Sequence, residues 1–289
     1  MFSALTSLLL LGSVPPAIPR TAMQALPGIE VLKITVPTAP PKTPEMPRHL
    51  SASGMLLVDL QSGQVLLSKQ ADVKRPMASL TKIMTALLIL ERHDLREIAS
   101  VPKIVADVRG STIGVKTGEI FTIEDLLKAL LIPSANDAAY ALAIEDAGSV
   151  SGFVERMNMR AKSLGLKNTH FSNPAGLDSE AQFSTARDLS RLTIAALKNK
   201  DFRRIVSTKS ASIATNSGAQ FDLRNTNELL QKDDRVFGVK TGTTSGAGEC
   251  LIVLFEEKKR EYLLVLLGSN NRYTDSLSVL KAVRDALSS

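Results

Sequence analysis

The stretch from Leu80 to Arg92 constrains this chain more than any other. Ile83, Met84, Leu87, Leu88, Ile89 and Leu90 leave almost no polar face at helical spacing, and an apolar run of that length reads as a helix buried on all sides. A helix of this kind runs through a core, so other elements must pack around it. With 289 residues the chain is long enough for one large domain or two modest ones.

The segments around that helix have a definite order. Met55–Asp59 and Gln64–Leu67 flank Gln61-Ser62-Gly63 and read as a hairpin. Thr122-Ile123-Glu124-Asp125 has nearly the form of a capping box and starts a helix through Leu131. Further helices are predicted at Asp137–Asp146, Val154–Leu164 and Thr185–Lys198. After about residue 210 the pattern turns to strands at Val236–Lys240, Cys250–Phe255 and Tyr262–Leu267, then a last helix at Thr274–Leu287. Strands at both ends around a helical insert imply an α/β (α+β) fold with one sheet. No repeat of solenoid period is present.

Composition excludes several classes. Hydrophobic residues make up 44% and charged residues 22%, which rules out collagen, coiled coil and wholesale disorder. Cys250 is the single cysteine, so no intrachain disulfide can form, and it reads as a small buried hydrophobe. His49, His93 and His170 are too scattered to complete a zinc site with it; no metal and no cofactor are expected. The net charge of +6 is diffuse. It favours acidic surfaces or carboxylate ligands, and without a dense basic run nucleic acid is not an expected partner.

The first 49 residues read differently from the rest. Met1–Val14 is apolar and uncharged, too short for a membrane span of about 20 residues, and reads with its flank to residue 22 as an export segment. No Lys or Arg precedes the apolar run. Nine of the 13 prolines lie between Pro15 and Pro47, so residues 23–49 are expected to be a linker or extended tether. The working domain is expected at 50–289, outside the cytoplasm, with any membrane attachment N-terminal.

Chemistry must come from a nucleophile, since no phosphate loop, dinucleotide fingerprint or Gly-x-Ser-x-Gly elbow occurs. Ser79-Leu80-Thr81-Lys82 puts a serine and a lysine three apart at a helix start, on one face. The helix N-terminus favours an alkoxide, and burial in the apolar helix lowers the lysine pKa so that its amine can act as a base. Two other Ser-x-x-Lys matches, at Ser100 and Ser278, read as a turn and an ordinary helix face. Alone, Ser79 reads first as a simple helix cap. Downstream lie Ser134-Ala135-Asn136, between two helices, and Lys240-Thr241-Gly242, near a strand end. Ser269-Asn270-Asn271 and Lys116-Thr117-Gly118 match in isolation but fall out of order.

The ordered set resembles the Ser-x-x-Lys, Ser-x-Asn, Lys-Thr-Gly motifs of penicillin-recognising serine enzymes. Ala78–Thr85, Leu130–Ala139, Phe171–Leu177, Ser184–Leu189 and Lys240–Ser245 make the resemblance specific to the low-molecular-mass D-alanyl-D-alanine carboxypeptidases, over roughly 53–287. The resemblance implies a β-lactamase/transpeptidase-like fold: an antiparallel sheet backed by helices, with a helical subdomain inserted. It implies that Ser79 attacks the carbonyl of the penultimate D-alanine, Lys82 takes its proton and Ser134 relays a proton to the departing amine. Asn136 would hold the substrate amide and orient Lys82. Lys240 would help keep Lys82 neutral, Thr241 would bind the terminal carboxylate, and Gly242 would let the substrate approach the strand. The N–H groups of Ser79 and Thr243 would form an oxyanion hole. Partners implied are the peptidoglycan stem peptide and acylating β-lactams. Two departures are expected: Ala175 stands where many relatives have a histidine, and the second, strand-rich domain that relatives often carry is not expected here.

Three alternative readings stand beside this one. A serine β-lactamase of class A uses a glutamate after the Ser-x-Asn element, but no Asp or Glu lies between Ala161 and Leu177. A silent cell-wall-binding protein has no use for a buried lysine beside a serine. The third is an esterase or amidase acting on small substrates. Ser184, Arg187 and Asp188 read as helix capping and stapling.

Overall fold

The strand β1 (Gly54–Asp59) is buried at all six positions, which requires that both faces of its sheet be covered. Residues 42–288 are described by the structure, a computed structural model; the expected export segment and most of the linker lie outside them. The remaining linker residues, 42–49, form neither helix nor strand. In a five-stranded sheet β1 lies between β2 (Val65–Lys69) and β9 (Arg260–Ser269), followed by β8 (Gly248–Glu257) and, at the edge, β7 (Val236–Thr244). All four pairings are antiparallel.

Alternation along the strands sends side chains into two cores. Leu56, Val58, Ile252, Leu254, Leu263 and Val265 join the core containing α1 (Lys82–Arg92) and α5 (Ala186–Ala196). Met55, Leu57, Leu251, Val253, Leu264 and Leu266 join the other, where α8 (Arg272–Ser288) adds Val279, Leu280 and Val283. Helices on both faces explain why the central strands read as continuous apolar runs although their pairing is antiparallel.

The helix α1 is the axis of the molecule. Every residue from Lys82 to Ile89 is buried, between α5 and α6 (Lys200–Val206) and the inserted helices α2 (Ile123–Leu131), α3 (Asn136–Ala147) and α4 (Val150–Ser163). Each fully buried Leu, Ile or Met contributes about 1.5–3 kcal/mol. The Thr122 hydroxyl accepts the Asp125 N–H at 3.1 Å and starts α2 as its spacing predicts. Thr185, rather than Ser184, caps α5, accepting from the Asp188 N–H at 3.0 Å. The Asp188 carboxylate then ties down Asn168 and Thr169, and Arg187 pairs with Asp72.

The short ribbons β3 (Ile98–Ser100) with β4 (Ile120–Thr122) and β5 (Ser210–Ala214) with β6 (Gln220–Arg224), and the five-residue α7 (Glu228–Lys232), have no counterpart in the sequence reading. They are too short to show a hydrophobic period. Lys116-Thr117-Gly118 is a turn, as expected.

Candidate active site

Ser79 lies in a 3-10 turn, Ala78–Thr81, that runs directly into α1; its three companions are buried and Ser79 alone is partly exposed. Ala78 has φ +48, a left-handed conformation that costs an L-residue roughly 1–2 kcal/mol. It is held from both sides. The Thr81 hydroxyl donates to the Ala78 carbonyl at 2.9 Å, while Gly176 and Gly242 press on the turn so closely that a Cβ on Gly242 would lie 3.0 Å from Ser79 N. That approach brings the edge strand β7 alongside the nucleophile, and it requires glycine.

Lys82, the first residue of α1, is fully buried. Its Nζ lies 2.9 Å from Ser79 Oγ, 2.7 Å from Asn136 Oδ1 and 2.8 Å from the Ala175 carbonyl. Burial, then the Lys240 charge, push its pKa well below the ordinary lysine value, against a smaller opposing pull from Asp137. A neutral amine has two N–H groups and one lone pair. The Ala175 carbonyl can only accept, and so can Asn136 Oδ1, whose orientation is set because Asn136 Nδ2 donates to the Arg109 carbonyl at 2.7 Å. Both N–H groups are therefore used, and the lone pair faces the Ser79 hydroxyl, which donates to it.

Asn136 and its neighbour also hold a wall of the site. The Asn136 N–H donates to the Ser111 carbonyl, and the buried Asp137 carboxylate accepts the N–H groups of Ile113, Gly114 and Val115. Ser134 precedes them at φ +67, buried, and its hydroxyl has no hydrogen-bond partner among the described residues. It does not cap α3, and neither does Asn136.

Lys240, Thr241, Gly242 and Thr243 all lie within β7, which continues to Thr244, so the motif is inside a strand rather than at its end. Buried Lys240 donates to the Thr241 carbonyl at 3.0 Å, and burial together with the Arg272 charge lowers its pKa to about 7. The Thr241 and Thr226 hydroxyls are 2.6 Å apart. Thr243 is exposed, and its hydroxyl accepts from Arg272 at 2.7 Å; the same guanidinium nitrogen donates to the Gly242 carbonyl at 3.0 Å. Arg272 went unmarked in the sequence because it belongs to no motif and reaches β7 only through the fold of α8. The Ala175 carbonyl went unmarked because a backbone atom leaves no residue-type signal. A groove of about 570 Å³ between residues 42–48 and α8 contains none of this chemistry. No cluster of metal-ligating side chains occurs among the described residues.

The profile of the D-alanyl-D-alanine carboxypeptidase family matches residues 40–271. The chain belongs to that family. Its relatives include the D-alanyl-D-alanine carboxypeptidase DacF of Bacillus subtilis, 35% identical over 82% of this chain and 62% of the relative. A D-alanyl-D-alanine endopeptidase of Escherichia coli is 36% identical over 82% and 77% of the two chains. The fold is that of a Streptomyces DD-transpeptidase, superposing with a TM-score of 0.78 at 30% identity over 85% of this chain and 100% of that one. As a carboxypeptidase of this family the chain is a serine peptidase, and the antiparallel sheet with inserted helices is the architecture its motifs imply.

Proposed function

We propose that the protein removes the terminal D-alanine from peptidoglycan stem pentapeptides through an acyl-enzyme on Ser79. The observation that carries this reading is the buried Lys82 amine, its pKa pushed well below the ordinary lysine value and its N–H groups held by two acceptors, so that in the neutral form its lone pair takes the Ser79 proton. Ser79 Oγ attacks the carbonyl carbon of the penultimate D-alanine as Lys82 accepts the hydroxyl proton. The N–H groups of Ser79 and Thr243 receive the developing oxyanion. Ser134 relays the proton from Lys82 to the leaving nitrogen, D-alanine departs, and water attacks the ester with the neutral Lys82 again as base.

Substrate placement follows from β7. Gly242 admits the peptide to the strand edge, Asn136 meets its amide, and Thr241, Thr243 and Arg272 receive the terminal carboxylate. A β-lactamase reading is disfavoured because Asp137, the carboxylate that acts on Lys82, is fully engaged by backbone N–H groups. β-Lactams are expected to acylate Ser79 and leave slowly.

The substrate class lies outside the cytoplasm, which supports reading residues 1–22 as an export segment, 23–49 as a tether and 50–289 as the peptidase. No helix among the described residues is long and apolar enough to cross a membrane. The test is incubation with a pentapeptide ending in D-Ala-D-Ala, followed by mass spectrometry. Loss of one alanine by the wild type and none by Ser79→Ala is expected. A cross-linked product would indicate transfer in place of hydrolysis, and no D-alanine release above background would refute the reading.

A further inference from the structure

Four consecutive residues, Ala175 to Asp178, touch three parts of the site. The Ala175 carbonyl takes a Lys82 N–H at 2.8 Å, and Gly176 lies against the Ala78–Ser79 backbone. Asp178 reaches the opposite wall: Oδ1 accepts from the Thr244 hydroxyl at 2.6 Å and Oδ2 from the Gly246 N–H at 3.0 Å. Thr244 Oγ1 in turn accepts the Ala247 N–H at 3.1 Å. One carboxylate therefore grips the whole turn between β7 and β8, at the residue next to Thr243.

The segment that carries Asp178 is rigid from within. Asn173 Oδ1 accepts the N–H groups of Ala175, Gly176 and Leu177 at 3.2, 2.7 and 3.0 Å. Gln182 Oε1 accepts those of Ser172 and Asn173, and both amide side chains donate to the Leu177 carbonyl. Thr85 on α1 donates to the Pro174 carbonyl at 2.7 Å. The turn it holds is exposed at Ser245 and Gly246, so outside the sheet Asp178 is its anchor to the base-bearing half of the site.

We propose that Asp178 is a positioning residue: it fixes the Thr243–Thr244 end of β7 relative to Ser79 and thereby sets the rate of acylation. The inference rests on the proposed function only for that kinetic consequence; the clamp itself has an independent readout. In Asp178→Asn the amide oxygen can still accept the Gly246 N–H and the NH₂ can donate to the second lone pair of Thr244 Oγ1, so the isosteric variant keeps much of the clamp that Asp178→Ala removes.

The test uses Asp178→Ala, Asp178→Asn, Thr244→Val and the Asp178→Ala/Thr244→Val double variant in the full chain. Acylation by a fluorescent penicillin is expected to slow by about tenfold or more in Asp178→Ala and by less in Asp178→Asn, since sub-ångström to ångström misplacement has effects of this order. The acid limb of the pH–rate profile should stay in place, because the Lys82 partners are untouched. The double variant should be no slower than the slower single one. Amide hydrogen exchange at Gly246 should speed up by about tenfold or more in Asp178→Ala. Acylation by Asp178→Ala within about twofold of wild type, additive effects in the double variant, or unchanged Gly246 exchange in Asp178→Ala would each overturn the proposal. If the wild type is not labelled at all, the functional reading fails, and the Gly246 exchange still decides whether Asp178 clamps the turn.

Discussion

Gly176→Ala adds a methyl group where the backbone has φ +91 and an ideal Cβ lies 2.0 Å from the Ala78 carbonyl oxygen, 2.4 Å from its carbon and 2.9 Å from Ser79 N. Ordinary contact begins near 3.4 Å, so the two backbones must part by about 1.4 Å, and neither is a flexible side-chain end. The left-handed φ costs an alanine roughly 1–2 kcal/mol, and overpacking of this kind adds about 1–3 kcal/mol. The expected loss of stability is therefore about 2–5 kcal/mol. The displaced atoms belong to the turn that presents Ser79, and misplacement by about 1 Å costs on the order of 100-fold in rate. Thermal unfolding reads the first quantity, and fluorescent-penicillin labelling of the folded fraction reads the second. A variant that melts within about one degree of wild type and labels at the wild-type rate would show that Gly176 does not brace the nucleophile.

Three further outcomes follow from the charges around Lys82. Lys240 has a pKa of about 7 when folded and about 10.4 when unfolded. Between these values the unfolded chain binds more protons, so this residue makes stability rise with pH by up to about 1.4 kcal/mol per unit. Lys240→Met is accordingly expected to be more stable than wild type by a margin larger at pH 7 than at pH 9 in denaturant titrations, and less active; an equal margin at both would contradict this. Asn136→Asp places a carboxylate beside the Lys82 amine, which raises the lysine pKa, so the acid limb of the acylation profile should move to higher pH by about a unit or more. Arg272→Ala removes the donor to Thr243 and Gly242 and should raise KM for peptides with a free terminal carboxylate while leaving amide-capped peptides unchanged. It also lets the Lys240 pKa rise from about 7, because the neighbouring charge is gone.

Much of the fold was legible because its largest elements carry strong periodic signals. The Leu80–Arg92 run could only be interior, and α1 is interior. The apolar strands near the C-terminus and the Thr122 cap also stand where their residues place them. Of the site, Ser79, Lys82 and Asn136 come together as the motif order implies. What the residues could not indicate was tertiary. The Lys-Thr-Gly motif lies inside β7 because the strand runs four residues further before turning. Arg272, the Ala175 carbonyl and Asp178 become visible only when distant segments are brought side by side.

The placement of β1 next to β9 bears on how the polypeptide matures. β1 and the nucleophile are made well before residues 262–267, yet β1 pairs with those residues along its whole length. A nascent chain halted before that strand would have a serine, a lysine and β7, but only β2 beside β1, with no β9 to join β8 and β7 to the nucleophile's half of the site. Proteolytic or biosynthetic fragments ending short of residue 260 should thus be inert toward penicillin. Competence arrives with β9, the strand that bridges the two halves of the sheet.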